Sequence, residues 1–151
     1  MKENVTILSI DDDPQICFAL GELFKFQGWR AVSANDVSSG LEAFRRYLPD
    51  IVLIDYHMPG MSGIEGVKLL RKQSPSVPII VFTIDESQTV ADTFLAVGAS
   101  DFALKPIKAP DIVSRIKLLQ EMSSQLAEYL FRPSHLAVYV RALQLHLLHP
   151  M

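Results

Sequence analysis

The sequence predicts an α/β fold: a doubly wound, five-stranded parallel sheet with helices on both faces, followed by a C-terminal helical extension. Three observations predict it. Short apolar runs alternate strictly with segments of helical period, five of each. The central runs are continuously apolar, as strands covered on both faces must be. The connections are short, so successive elements are neighbours in space.

The elements follow in order. Val5–Ile10 is a β-branched run that ends abruptly at Asp11-Asp12-Asp13-Pro14. Ile16, Leu20, Leu23 and Phe24 share a helical face, and Gly28 stops it, with Trp29 packing near the helix end. Ala31–Ala34 is the second strand. Asp36 and Ser38 are capping residue types before Leu41, Phe44 and Leu48, and Pro49 ends that helix. Ile51–Ile54 is a strand closed by Asp55. Pro59-Gly60-Met61-Ser62-Gly63 is a loop, and Ile64, Val67, Leu69 and Leu70 then form an amphipathic helix up to Ser74-Pro75. Ile79–Phe82 is the fourth strand, ending at Thr83. A helix through Val90, Phe94 and Leu95 runs to Gly98. Phe102–Leu104 is the fifth strand, ending at Lys105-Pro106, and a long helix starts at Pro110.

Composition bounds what such a chain does. Its 151 residues suit one domain with an appendage. Hydrophobic residues make up 49% and charged residues 21%, enough for a full core and too ordered a mixture for wholesale disorder. A net charge of −3 gives no basic excess, so no direct nucleic-acid contact is expected of this segment. The single cysteine, Cys17, excludes a disulfide framework or Cys-based zinc site within one chain and reads as a helix filler. No apolar run approaches the ~18–20 residues of a spanning helix. Met1–Asn4 is polar and leads directly into a strand, so no signal peptide is expected and a cytoplasmic location is the default. The acidic excess lies before residue 109; the rest holds three of the four histidines.

In parallel sheets, sites form beyond the carboxyl ends of the strands. The residues that close the strands here are Asp11, Asp12 and Asp13, then Asp55, Thr83 and Lys105, all polar and all following apolar runs. Clustered carboxylates repel, so a cation must bind or some must protonate. Carboxylate oxygens with a backbone carbonyl suit a hard divalent ion such as Mg²⁺. A carboxylate such as Asp55 can also accept a phosphoryl group. That transfer needs charge neutralised on the phosphoryl oxygens, which a divalent ion, the Lys105 ammonium and the Thr83 hydroxyl can supply.

The segments Ile7–Pro14, Ile54–Gly63, Ile80–Thr83 and Leu104–Pro106 resemble the motifs of the response-regulator receiver domain of two-component signalling, over about residues 4–120. The resemblance implies a flavodoxin-like strand order of 2-1-3-4-5. It implies Asp55 as phosphoacceptor, with a sensor histidine kinase or phosphotransfer protein as donor. Asp12 would bind Mg²⁺ directly and Asp11 through water, and the His57 backbone carbonyl would be a third metal contact. Lys105 would pair with Asp55 or the phosphoryl group, across a cis Lys105-Pro106 peptide. Thr83 would contact the phosphoryl group and Phe102 would be the aromatic switch, lacking the phenol of a tyrosine. His57 and Asp85 occupy the positions that tune phosphoryl loss. The switched surface would comprise the fourth helix, fifth strand and fifth helix, with transcription as the expected output. A homodimer is expected through that surface or the C-terminal extension, with no membrane contact.

Rival readings fit less well. A haloacid-dehalogenase-type phosphatase also uses a strand-end aspartyl nucleophile with Mg²⁺. It carries a second Asp two positions on, where this chain has His57, and a capping domain for which the length leaves no room. A flavodoxin-like cofactor binder needs a Gly/Ser/Thr-rich first loop, whereas Asp11-Asp12-Asp13-Pro14 repels phosphate. A phosphorylation-independent interaction module has no need of the complete site. Residues 121–151 read as a helical extension or linker. The stripe Ile112, Ile116, Leu119, Met122 or Ser123, Leu126 and Leu130 of the fifth helix runs into it, Pro133 interrupts, and Leu136, Val140, Leu143 and Leu147 form a second. It holds no recognisable output domain, which leaves open a stand-alone chain or part of a longer regulator.

Overall fold

The computed structural model describes the main chain of residues 4–131 and the side chains of residues 4–127. Five strands and five helices alternate: β1 Thr6–Ile10, α1 Pro14–Phe26, β2 Arg30–Ala34, α2 Val37–Tyr47, β3 Ile51–Asp55, α3 Gly63–Gln73, β4 Ile79–Thr83, α4 Gln88–Ala96, β5 Asp101–Leu104 and α5 Ala109–Phe131. The sheet is parallel throughout, in the order β2-β1-β3-β4-β5. That is the expected doubly wound architecture. The order reverses between β1 and β3, and this crevice is where such sheets place their sites.

The pleat sorts the core. Leu8, Ile10, Val52, Ile54, Ile79 and Val81 share one cluster with Val37, Phe44, Val67, Leu70 and Phe94. The alternate residues Ile7, Leu53 and Ile80 are fully buried as well. Strands buried on both faces explain why β3 and β4 read as apolar runs up to their closing residues. Burying one such Ile or Leu side chain contributes roughly 1.5–3 kcal/mol.

Side-chain caps start the helices. Asp13 accepts from Gln15 N–H ahead of α1, Asp36 from Ser39 N–H ahead of α2, Ser62 from Glu65 N–H ahead of α3, and Ser87 from Val90 N–H ahead of α4. Of the two expected cap types it is Asp36 that caps, and the Ser39 hydroxyl also donates to its carboxylate, at 2.6 Å. At the start of α3, Gly63 approaches the end of β3 so closely that a Cβ would sit 2.5 Å from the Asp55 carbonyl oxygen and 2.8 Å from Tyr56 Cα. Only glycine lets α3 begin there.

Two residues expected on buried helix faces lie outside. Leu48 is 70% exposed, because it ends α2 in the left-handed region (φ 45°) and leaves the helical face. Leu95 is 49% exposed, since Phe94 alone of that pair turns into the core. The chain divides into two compact units: Lys2–Val113, and Met1 with Ser114–Met151. On α5, Ile112 is buried, whereas Leu118, Met122 and Leu126 are exposed. The proposed features after Phe131, including Pro133, the second apolar stripe and the tail histidines, lie outside the described residues. No helix among the described residues is long and apolar enough to cross a membrane.

One unanticipated staple holds the far end of the sheet. The Arg71 guanidinium, at the last turn of α3, donates to the carbonyls of Gly98 (2.7 Å), Ser74 (3.2 Å) and Val77, and to the Ser100 hydroxyl (3.3 Å). Ser100 in turn exchanges bonds with Ile79. One planar fork thus ties the α3–β4 and α4–β5 connections together. Arg71→Ala leaves part-buried carbonyls without donors and should cost about 2–3 kcal/mol in urea unfolding. Arg71→Lys should recover less than half of that, because a single ammonium cannot serve the diverging acceptors.

Candidate functional site

The site forms where β1 and β3 part. Hydrogen bonding within the sheet carries β1 up to Ile10, and Asp11 N–H still bonds to the Ala34 carbonyl (3.0 Å). Asp11 is therefore fixed at the rim and is 4% exposed. Its carboxylate accepts from Asp13 N–H (2.9 Å), which shapes the turn into α1. Asp13 is spent on the helix cap, while Asp12 projects to solvent. The three consecutive acids thus divide their roles: one cap, one buried carboxylate, one exposed carboxylate. Asp55 ends β3, buried at 5% exposure, with its neighbour Tyr56 bonded across to the Phe82 carbonyl.

Carboxylate oxygens of Asp11, Asp12 and Asp55 lie within 4.8 Å of one another. Lys105, at the end of β5, places its ammonium 3.0 Å from Asp11 Oδ2 and 3.1 Å from Asp55 Oδ1. The Lys105–Pro106 peptide is cis, as the resemblance implied. Burial, then repulsion by Asp11 and Asp12, holds the Asp55 carboxyl above the ordinary carboxylate range, against the opposing hydrogen bond from Lys105. Burial pulls the Lys105 ammonium down, but hydrogen bonds to Asp11 and Asp55 and their charges outweigh it and leave it raised. The arrangement has one cation for three acids.

The other expected residues ring this cluster. Thr83 closes β4, fully buried; its hydroxyl accepts from Asp85 N–H (3.0 Å) and its carbonyl from Lys105 N–H (2.8 Å). Asp85 accepts from Ser87 N–H (2.8 Å). That hydrogen bond holds its carboxyl below the usual range, with a smaller contribution from nearby His57. The two predicted tuning positions lie on the β3–α3 and β4–α4 loops. The His57 side chain is exposed and its ring packs on Tyr56 (4.3 Å between centroids), which meets Phe94 edge-on. Among the described residues nothing donates to the His57 carbonyl, whereas the Tyr56 carbonyl is taken by Gly63 N–H. Phe102 is half-buried against the core cluster, in register with Val81. Cys17 fills α1 as expected: it is buried, its thiol lies 3.5 Å from the Asp11 carbonyl, and burial pushes its pKa up.

The donor set fits a hard divalent ion. Asp11, Asp12 and Asp55 offer carboxylate oxygens, the ligand type that such an ion prefers. Among the described residues no sulfur or imidazole nitrogen enters the cluster, which disfavours softer metals.

The sequence model of the response regulator receiver domain matches residues 7–117. TcrX, a probable transcriptional regulatory protein of Mycobacterium tuberculosis, is 31% identical over 115 residues, covering 76% of this chain and 49% of that protein. The DNA-binding response regulator MtrA of Mycolicibacterium smegmatis is 35% identical over 111 residues, covering 74% and 48%. The chain spans about half the length of these curated relatives. The receiver domain of Francisella response regulator 1452 superposes with a TM-score of 0.75 at 28% identity, over 80% of this chain and 99% of that one. The match runs through all five strands and the acid-bearing loops alike, and the chain belongs to the response regulator receiver domain family.

Proposed function

We propose that residues 4–120 form a phosphorylation-switched receiver that accepts a phosphoryl group on Asp55 from the phosphohistidine of a sensor histidine kinase or phosphotransfer protein. The observation that carries this reading is the Lys105 ammonium held within 3.1 Å of both Asp11 and Asp55, at a buried carboxylate that ends a central strand. In the transfer, an Asp55 carboxylate oxygen forms the new O–P bond as the donor N–P bond breaks, and the bonding pair leaves with the imidazole. Asp11, Asp12 and the His57 carbonyl would hold Mg²⁺, which supplies charge neutralisation for the phosphoryl oxygens. Lys105 supplies a further positive charge. The Thr83 hydroxyl uses a lone pair on Asp85 N–H and keeps its proton to donate to a phosphoryl oxygen.

Phosphorylation would favour a minor conformation rather than create one, with Thr83 and Phe102 linking the site to the surface of α4, β5 and α5. His57 and Asp85, on facing loops beside the acids, would set how fast water removes the phosphoryl group. Self-association through that surface or the C-terminal extension is supported by the exposed Leu118, Met122 and Leu126 of α5. The output would be transcriptional, as the names of TcrX and MtrA suggest for those proteins.

Incubation of the full chain with acetyl phosphate and Mg²⁺ should add one phosphoryl group by intact mass. The adduct should be labile to hydroxylamine and absent with EDTA or in Asp55→Ala. Failure to form it, or its survival in that variant, overturns the reading. A second expectation concerns stability. The raised Asp55 pKa means that its ionisation costs folding stability relative to the unfolded chain, in full above that pKa. Without divalent ions, Asp55→Asn should therefore raise stability at neutral pH, by on the order of 1 kcal/mol. The gain should shrink as pH falls through the raised pKa toward the ordinary carboxylate range, where the wild-type group is protonated. Added Mg²⁺ should raise the wild-type Tm more than that of Asp55→Asn, a difference that thermal melts across a pH series would read directly.

A further inference from the structure

A cavity of about 330 Å³ lies between α1 and the β1–β2 side of the sheet. Ser9, Cys17, Phe18, Gly21, Ser33 and Asn35 are among its walls, and none of the phosphoryl-site residues lines it. Its volume far exceeds the ~30 Å³ share of one water and enters the range of roughly 300–1,000 Å³ typical of small-molecule pockets.

Ser9 is its most telling wall. It is 4% exposed, in the middle of β1, and its hydroxyl makes no hydrogen bond among the described residues. Its hydroxyl therefore keeps its hydrogen-bonding capacity for whatever occupies the cavity. Ser33 is the in-register neighbour of Ser9 on β2, so the two hydroxyls stand side by side on one face. Asn35 adds an amide just past the strand end. Opposite them the wall is apolar: the Phe18 ring stands 71% exposed, and Gly21 faces Ala31. A Cβ at Gly21 would lie 3.9 Å from the Ala31 methyl, so an alanine fits and a longer side chain would extend into the space. Glu22 and Lys25, also at this cavity, pair with each other at 3.6 Å and leave it no net charge.

We propose that this cavity binds a small, neutral, planar molecule bearing an amide or lactam edge. The Ser9 and Ser33 hydroxyls meet that edge, each able to donate and accept, and the Phe18 ring lies against the molecule's face. The site is separate from the phosphoryl chemistry, so neither reading depends on the other.

Nicotinamide and uracil are the probes, each titrated into the ¹⁵N-labelled full chain up to about 20 mM, the weak limit for a specific site. At least one should give saturable shifts confined to the amides around residues 9, 17–21 and 31–35. Gly21→Leu should abolish them. Ser9→Ala should leave Tm unchanged or higher and weaken the probe about fivefold, the worth of one neutral hydrogen bond. Absence of saturable shifts with both probes overturns the proposal, the cavity then holding only water. So does undiminished affinity in Ser9→Ala, or a fall in its Tm that reveals a hydroxyl already bonded.

Discussion

The Lys105 ammonium between Asp11 and Asp55 is the contact on which the rest of the rim depends. Two carboxylates at 4% and 5% exposure cannot sit ionised side by side without a counter-charge, because desolvation and mutual repulsion act in the same direction. A lysine on an adjacent loop is not enough; its ammonium has to arrive within hydrogen-bonding distance of both. Lys105 N–H bonded to the Thr83 carbonyl, at the end of the β4–β5 ladder, fixes where its side chain starts. The geometry of the sheet therefore determines the electrostatics of the site.

The sheet achieves this with little local adjustment. β1, β3 and β4 are buried along their whole lengths, so each strand is fixed in register and its last residue emerges at a fixed height. The polar residues cluster because the strands end together, and they remain polar because the apolar layers stop there. Asp13 relieves the crowding by turning to cap α1, and Gly63 lets α3 start against the Asp55 carbonyl, so the β3–α3 loop stays close to the rim.

Much of this was legible in the sequence. The alternation of apolar runs with helical periods located all ten elements, because strands covered on both faces leave an unmistakable run. The strand-closing residues Asp11, Asp12, Asp55, Thr83 and Lys105 follow from the same logic, and the structure brings the first two and Asp55 together around Lys105. What stayed hidden depends on side-chain direction at helix ends and on contacts distant in sequence. Leu48 and Leu95 match an apolar period but sit where the helix turns out or rotates away. Arg71 looks like any surface arginine on α3, since its acceptors on Gly98 and Ser100 lie 27 and 29 residues away. Ser9 did carry a signal, a hydroxyl in the middle of a buried strand, but only the packing of α1 over β1 and β2 shows the cavity it lines.

The charge balance also indicates why a switch is feasible at this rim. Three carboxylates against one ammonium leave two formal negative charges, which one divalent ion would cancel. A phosphoryl group on Asp55 would replace a single negative charge by one approaching two. The balance would then be exceeded by about one negative charge, which further hydrogen-bond donors would offset. A further donor at the strand ends is the Thr83 hydroxyl, whose oxygen accepts from Asp85 N–H and whose proton is left to donate. If that hydroxyl were drawn toward a phosphoryl group, the proposed switch would act on the β4–α4 loop, which runs through Asp85 and Ser87 to the capped end of α4.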